Sequence, residues 1–335
     1  MSTVSRQFRL AARPVGLPKD SDWEYREEEL PDPGEGEFLV AVSHISLDPA
    51  MRGWMNDARS YIPPVGIGEV MRAGALGEVV ASRHPGFAVG DHVSGAFGVQ
   101  SHAISDGQGV TEVDPSKVPL PVYLGVLGMT GLTAYFALLD VGRPQAGETV
   151  VVSGAAGAVG GVAGQIAKLK GCHVVGIAGG AEKCRHVVED LGFDACIDYK
   201  NEDVAAGLKT HCPKGIDVYF DNVGGDILDA CLARLAMHAR VVICGAISQY
   251  NATGKVTGPS NYLALLVNRA SMTGMVIFDY VERFPEAAAE LAGWLAEGRL
   301  KAEVDVVTDL ATFPEALLKL FRGENTGKLV LQVAA

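Results

Sequence analysis

From residue 149 onward the hydrophobic and polar positions fall into a regular alternation. Short apolar runs near 149–153, 173–177, 195–197, 216–221 and 240–244 read as strands, and segments near 158–170, 181–191, 203–211 and 226–237 read as helices between them. Strand and helix taking turns in this way predict a parallel sheet covered on both faces. A helix near 260–268, a strand near 271–277 and a helix near 284–297 continue the layering. Before about residue 122 the pattern is different. Short alternating runs such as 38–42 and 76–81 are separated by Pro/Gly turns at Pro63-Pro64 and His84-Pro85-Gly86, which predicts a β-rich domain with irregular loops. The tail has a helix-like stretch at 313–321 and a strand at 328–333. A lone final strand needs a sheet to join, and the N-terminal β domain could supply it.

The stretch TVVVSGAAGAVGGVAGQIAKLK, residues 149–170, reads as strand, tight turn and helix. Gly154, Gly157 and Gly160 fall three apart, so the turn can bend sharply, the backbone can approach a ligand, and the helix can sit tightly on its strand. The first amides of a helix lack partners and lie at the positive end of the macrodipole, so they attract phosphate. GxxGxxG is a variant of the dinucleotide fingerprint GxGxxG, and glycines alone also suit close packing of a buried helix. The strand before, the helix after and a second strand within one βαβ span favour the nucleotide site.

Composition narrows the class. A chain of 335 residues with 48% hydrophobic and 20% charged residues reads as a well-packed globule of one large or two medium domains. Its net charge of −12, with Lys and Arg scattered, argues against nucleic-acid and anionic-membrane partners. Arg6, Arg9 and Arg13 are followed by no apolar core, so no secretory signal is predicted. Residues 118–139 carry no formal charge until Asp140, but Pro119, Pro121, three glycines and two threonines interrupt them, and a buried helix beginning near Tyr123 is expected rather than a membrane span. All six cysteines lie at Cys172 or later without a CxxC pair, which suits free thiols in a cytoplasmic chain.

Ligands of such sheets lie along the carboxyl ends of the strands. About twenty residues past the glycine turn, an NAD-selective site would place Asp or Glu on the ribose 2′-hydroxyl. This chain has Ala178-Gly179-Gly180 there, then Glu182, Lys183 and Arg185. No carboxylate repels a 2′-phosphate and cations stand near, which favours NADPH, unless Glu182 and Lys183 are simply exposed first-turn residues. Asp221-Asn222-Val223-Gly224-Gly225 and Cys244-Gly245-Ala246-Ile247-Ser248-Gln249-Tyr250-Asn251 follow the next strands. Each alone suits a cap or a turn; together at strand ends they point to a site. Ser153-Gly154 lies outside a GxSxG, so hydrolysis finds little support. His44, His84, His92 and His102 show no metal-ligand grouping, no cysteine precedes Cys172, and no metal is predicted.

With these residues laid out, the chain resembles, nearly end to end, the zinc-independent medium-chain dehydrogenase/reductase superfamily, and within it the prostaglandin, 2-alkenal and curcumin reductase group. The resemblance is carried by Asp48-Pro49-Ala50-Met51-Arg52-Gly53, by Gly128-Met129-Thr130-Gly131-Leu132-Thr133-Ala134-Tyr135, by the glycine turn, by the two loops just named, and by Gly323-Glu324-Asn325-Thr326-Gly327-Lys328. It implies a GroES-like β-rich catalytic domain, residues 1–125 and 300–335, and a Rossmann doubly wound parallel-sheet domain, residues 126–299, with substrate in the cleft between them. It also implies that Gly157, Ala158, Val159 and Gly160 hold the pyrophosphate, and that Lys183 and Tyr199 hold the 2′-phosphate end. Asn222, Cys244, Gly245, Ala246, Ile247, Ser248, Gln249 and Tyr250 would follow the mid-section and nicotinamide, with Met275, Val276, Ile277 and Asn325 beside the ring or returning to it. Ala50, Met51, Tyr61 and Tyr262 would line the substrate pocket. Ala50 departs from the family, which commonly has Tyr there, so the pocket is expected to be larger. The implied reaction is NADPH-dependent reduction of the C=C bond of α,β-unsaturated ketones or aldehydes, with Tyr250 as candidate stabiliser of the developing oxyanion; an NADPH:quinone reductase and a non-catalytic NADPH-binding scaffold are the competing readings. A homodimer is expected from the resemblance. Lys183→Ala should weaken NADPH binding and leave NADH little changed in parallel titrations, and equal loss for both would remove Lys183 from the 2′-phosphate.

Overall fold

The alternation after residue 149 is a six-stranded parallel sheet. In spatial order its strands are Ala195–Asp198, His173–Ala178, Thr149–Ser153, Ile216–Asp221, Leu235–Ile243 and Ser271–Gly274. The first strand in sequence is therefore central, and the order reverses between it and Ile216–Asp221. That is the switch point of a doubly wound sheet. The central valines show why both faces must be covered. Val150 and Val152 enter one hydrophobic cluster with Ala163, Ile166 and Phe220, while Val151 enters another with Leu208, Cys231 and Tyr219. The helix Ala158–Leu169 contributes to the first cluster; Val204–His211 and Gly225–Leu232 contribute to the second.

The computed structural model describes residues 3–333 and divides the chain into two compact units. Gly125–Glu303 holds the parallel sheet; the residues before Gly125 and from Val304 onward form the other unit. That second unit is built on a seven-strand sheet ordered Val304–Thr308, Lys328–Gln332, Phe38–Ser46, Ala75–Ser82, His92–Gly95 and Thr111–Glu112, with His102–Ser105 also paired to Phe38–Ser46. The final strand thus joins the N-terminal sheet, antiparallel to Phe38–Ser46, as its lone position in the sequence required. Thr3–Leu10 and Trp23–Leu30 pair as a separate two-stranded antiparallel sheet, bridged to the larger one's connections at Gln7 with Gln100 and at Arg9 with Val70. Phe313, Ala316, Leu317 and Leu320, one stripe of the helix Phe313–Arg322, are buried against Phe8 and Trp23 in the core of this unit.

Several element boundaries differ from the sequence expectation by three residues or more. The helix expected from Tyr123 is a 3-10 turn, Leu120–Leu124, and the α-helix runs only over Met129–Phe136. Gly128, in an extended conformation, sets its start, and a Cβ on Gly131 would overlap the Val126 carbonyl oxygen, so the helix begins with its backbone pressed against the turn before it. The helix expected over 226–237 stops at Leu232, and the strand expected from 240 begins at Leu235. Apolar spacing at 235–237 suits either element; the pairing of Leu235 with Ile216, followed by a register shift and a left-handed His238 at φ 62°, makes it a bulged strand. The strand expected over 271–277 is Ser271–Gly274, and a 3-10 segment begins at Ile277.

Gly131→Ala would gain about 1 kcal/mol of helix propensity but force a methyl onto a backbone oxygen that cannot rotate away, at a cost above the usual range of about 1–3 kcal/mol for overpacking. The variant should therefore melt several degrees below the wild type in a thermal unfolding scan; a midpoint equal or higher would contradict this packing.

Candidate active site

The carboxyl edge of the parallel sheet gathers the strand-end loops. After Ser153 the chain turns at Gly154, φ 61°, and the helix begins at Gly157 with no side chain capping it. A Cβ on Gly160 would overlap the Gly154 carbonyl, so glycine is what lets the helix start directly above the strand end. The first-turn amides of Ala158, Val159 and Gly160 are left facing the switch point. An uncapped helix start at that place is the arrangement that receives a diphosphate.

One neighbouring turn follows His173–Ala178. A Cβ on Gly179 would stand 2.9 Å from the Tyr199 hydroxyl and 3.0 Å from Lys200 Cε, so both side chains lie over this glycine. Gly180, φ 101°, precedes the helix Ala181–Glu189, whose first turn carries exposed Glu182 and half-buried Lys183. The buried Asp198 carboxylate accepts the Gly180 N–H at 2.7 Å, the Lys200 N–H at 3.1 Å and Asn201 Nδ2 at 2.7 Å, and hydrogen bonding to Asn201 leads the effects that lower its pKa. It is committed to shaping the turn. Lys183, Tyr199 and Lys200 then give this corner a cationic, hydrogen-bonding rim suited to a phosphate on the ribose.

On the other side of the switch point, Asn222 donates its side-chain amide to the Ser153 carbonyl at 2.7 Å. The loop beyond Ile243 is tied to it: the Ile247 N–H reaches the Asn222 carbonyl at 3.2 Å, and the Ser248 N–H and hydroxyl reach the Val223 carbonyl at 3.2 and 2.6 Å. The Tyr250 hydroxyl oxygen accepts the Ala246 N–H at 3.1 Å, folding the loop back on itself beside Gly245. Cys244 has its thiol pushed up to about 12 by burial and then by the charge of Asp221, so it is a neutral thiol at physiological pH. The Met275 N–H bonds the Ile243 carbonyl at 3.3 Å, which brings Met275 and Val276 to the same edge, while Ile277 is buried.

The remaining candidates lie elsewhere. Ala50 begins the short helix Ala50–Trp54 and is half-buried, Met51 is fully buried in the core of its unit, and exposed Tyr61 accepts a hydrogen bond from Trp54 Nε1 at 3.2 Å. Asn325, in the same unit, donates to the Gly327 carbonyl at 3.0 Å. Tyr262 is 58% exposed on the parallel-sheet unit. Sequence reasoning passed over Asp198 and Lys200, and took Asp221 only as part of its loop and Ser153 only as a nucleophile to be set aside. The two acids each close a strand of the sheet, a position that could have drawn attention to them.

A doubly wound sheet with a glycine-built, uncapped helix start at its switch point defines a dinucleotide-binding oxidoreductase unit. Residues 6–113 match the family model described as the N-terminal domain of oxidoreductase, and residues 158–293 match that described as zinc-binding dehydrogenase. Among the described residues no group of three or more His, Cys, Asp or Glu side chains is placed to hold a metal ion. The NADPH-dependent curcumin reductase of Escherichia coli (strain K12) is 44% identical over 98% of this chain and 97% of its own, and the NADP(+)-dependent 2-alkenal reductase of Nicotiana tabacum is 37% identical over 98% of each. The crystal structure of CurA from Vibrio vulnificus in complex with NADPH superposes with a TM-score of 0.92 at 46% identity, covering 98% of this chain and 99% of that one. The chain belongs to the zinc-independent branch of the medium-chain dehydrogenase/reductase superfamily, in the group of curcumin, prostaglandin and 2-alkenal reductases.

Proposed function

We propose that the chain is an NADPH-dependent reductase of carbon–carbon double bonds conjugated to a ketone or aldehyde. The observation that carries this is the turn at Gly179-Gly180, where the Asp198 carboxylate is taken up by the Gly180, Lys200 and Asn201 donors and Tyr199 and Lys200 lie over Gly179, with Lys183 in the first turn of the helix that follows. Relatives named for curcumin and 2-alkenals, compounds that share a conjugated carbonyl, favour the enone reading over a quinone or a scaffold.

Bound NADPH supplies the hydride that adds to the β-carbon, leaving an enolate that is protonated at the α-carbon. The chain's own residues do the rest. The amides of Ala158, Val159 and Gly160 bind the diphosphate, and Lys183, Tyr199 and Lys200 fix the 2′-phosphate end. Asn222, the loop from Cys244 to Tyr250, Met275, Val276, Ile277 and Asn325 hold the mid-section and nicotinamide. Ala50, Tyr61 and Tyr262 face the substrate, and Met51, buried behind Ala50, supports the short helix that carries it. Tyr250 donates toward the carbonyl oxygen as charge develops, directly or through the ribose hydroxyl it orients.

The chain also pairs with a second copy in this reading. Ser271–Gly274 is an exposed edge strand of the sheet, and Tyr262, Leu263, Leu266, Val267 and Met272 are exposed beside it in sequence, an apolar edge that an unpartnered chain would have to shield. No helix among the described residues is long and apolar enough to cross a membrane. Six free cysteines suit the reducing cytoplasm, where the chain is placed.

A spectrophotometric panel of NADPH and NADH against 2-alkenals, enones and quinones should show NADPH oxidation with saturated aldehyde or ketone as product. NADPH binding without oxidation across the panel would select the scaffold, and turnover confined to quinones would select the quinone reductase. Tyr250→Phe should lower kcat on a good enone by about tenfold or more; full turnover would end its catalytic assignment. Sedimentation equilibrium should give twice the chain mass and Met272→Asp should shift it toward one; a wild-type monomer at micromolar concentration would refute the pairing.

A further inference from the structure

We infer that Asp221 is a positioning residue that joins the diphosphate turn to the nicotinamide loop. It closes the strand Ile216–Asp221 beside the switch point and is 1% exposed. Its Oδ1 accepts four donors: the Ser153 hydroxyl at 2.9 Å, the Tyr219 hydroxyl at 2.7 Å, and the N–H groups of Val223 and Gly224, each at 3.0 Å. Its backbone carbonyl accepts Cys244 N–H at 2.9 Å and Gly245 N–H at 3.0 Å. Ser153 Oγ in turn accepts the Asn222 N–H at 2.9 Å. One residue thus holds the end of the first strand, the turn at 222–225 and the start of the loop at 244–250, the three pieces of backbone that form this edge.

Fold stability does not call for an acid here. Phe220 precedes it in the strand and Ile243 pairs with it across the sheet, and a buried carboxylate is costly unless donors surround it. Asp221 Oδ2 has no hydrogen-bond partner among the described residues, so the group is not a symmetric structural clasp. What the carboxylate adds is an oxygen of enough negative charge to gather four donors at one point, where a neutral amide oxygen serves about two. The acid therefore fixes the spacing of the loops rather than filling the core. The proposal rests on the NADPH reading of this edge.

Asp221→Asn keeps the shape and weakens the acceptor. In fluorescence titrations without substrate it should raise the Kd for NADPH by about tenfold or more, the loss expected of hydrogen bonds to a charged group. The Kd for adenosine 2′-monophosphate, which lacks a 5′-phosphate and so reaches only the Lys183 and Tyr199 corner, should stay within about twofold. In turnover KM for NADPH should rise with that Kd. A purely structural role would affect both ligands alike or neither, and either result overturns the proposal. Should Asp221→Asn not fold, Ser153→Ala, which removes one donor and keeps the carboxylate, is read in the same way, and an unchanged NADPH Kd overturns the proposal. A wild-type chain that fails to bind NADPH overturns the cofactor reading and this proposal with it; a variant that binds NADPH as the wild type does overturns this proposal alone.

Discussion

The site depends on one close approach. A side chain on Gly160 would collide with the Gly154 carbonyl, so the helix Ala158–Leu169 can begin directly over the end of the central strand only because both positions are glycine. The same closeness runs down the helix, where Gly164 leaves room for the Phe193 ring and a Cβ on Gly161 would stand 3.2 Å from Leu191 Cδ1. With the helix this near the sheet, its first amides open onto the switch point rather than onto solvent. The glycines are thus structural and functional at once, and the packing and nucleotide readings of the motif are two consequences of one geometry.

Around that start the loops are held by polar contacts to backbone, not by reactive side chains. Asn222 is drawn to Ser153, Ser248 to Val223, and Tyr250 to Ala246. The thiol of Cys244 is held neutral by burial first and by Asp221 second. Such an edge offers shape, amides and a charge pattern. It suits chemistry in which the protein orients two small molecules and stabilises charge on one of them, while the bond-making electrons come from the cofactor.

The doubly wound unit was largely legible because its signal is local. Val150, Val151 and Val152 divide between two cores on opposite faces, which is what an unbroken apolar run implies, and the lone final strand needed a sheet and found one. What was not legible depends on backbone conformation and strand pairing that apolar spacing does not encode. The helix expected near Tyr123 starts later because Gly128 is extended, and Leu235 is a strand residue because Ile216 lies beside it. Asp198, and the role of Asp221 within the loop already singled out, were missed for a related reason. An acid at a strand end looks solvent-facing in sequence, and only the fold shows each one buried under several donors.

The departure at Ala50 gains meaning from its supports. Directly before it, buried Lys328 donates to the Leu47 carbonyl at 2.8 Å and to Asp48 at 2.6 Å, tying this segment to the final strand. Directly after it, buried Arg52 donates to the Gly16 and Pro14 carbonyls, each at 3.0 Å, and to Asn56 at 2.6 Å. Breaking either buried cation's contacts would leave a charge without partners, so the backbone on both sides of residue 50 is fixed. With the backbone held, the shape presented at this point is set by the side chain alone. Under the proposed function, in which Ala50 faces the substrate, a change of side chain at residue 50 alters substrate preference while the backbone that carries it stays as it is.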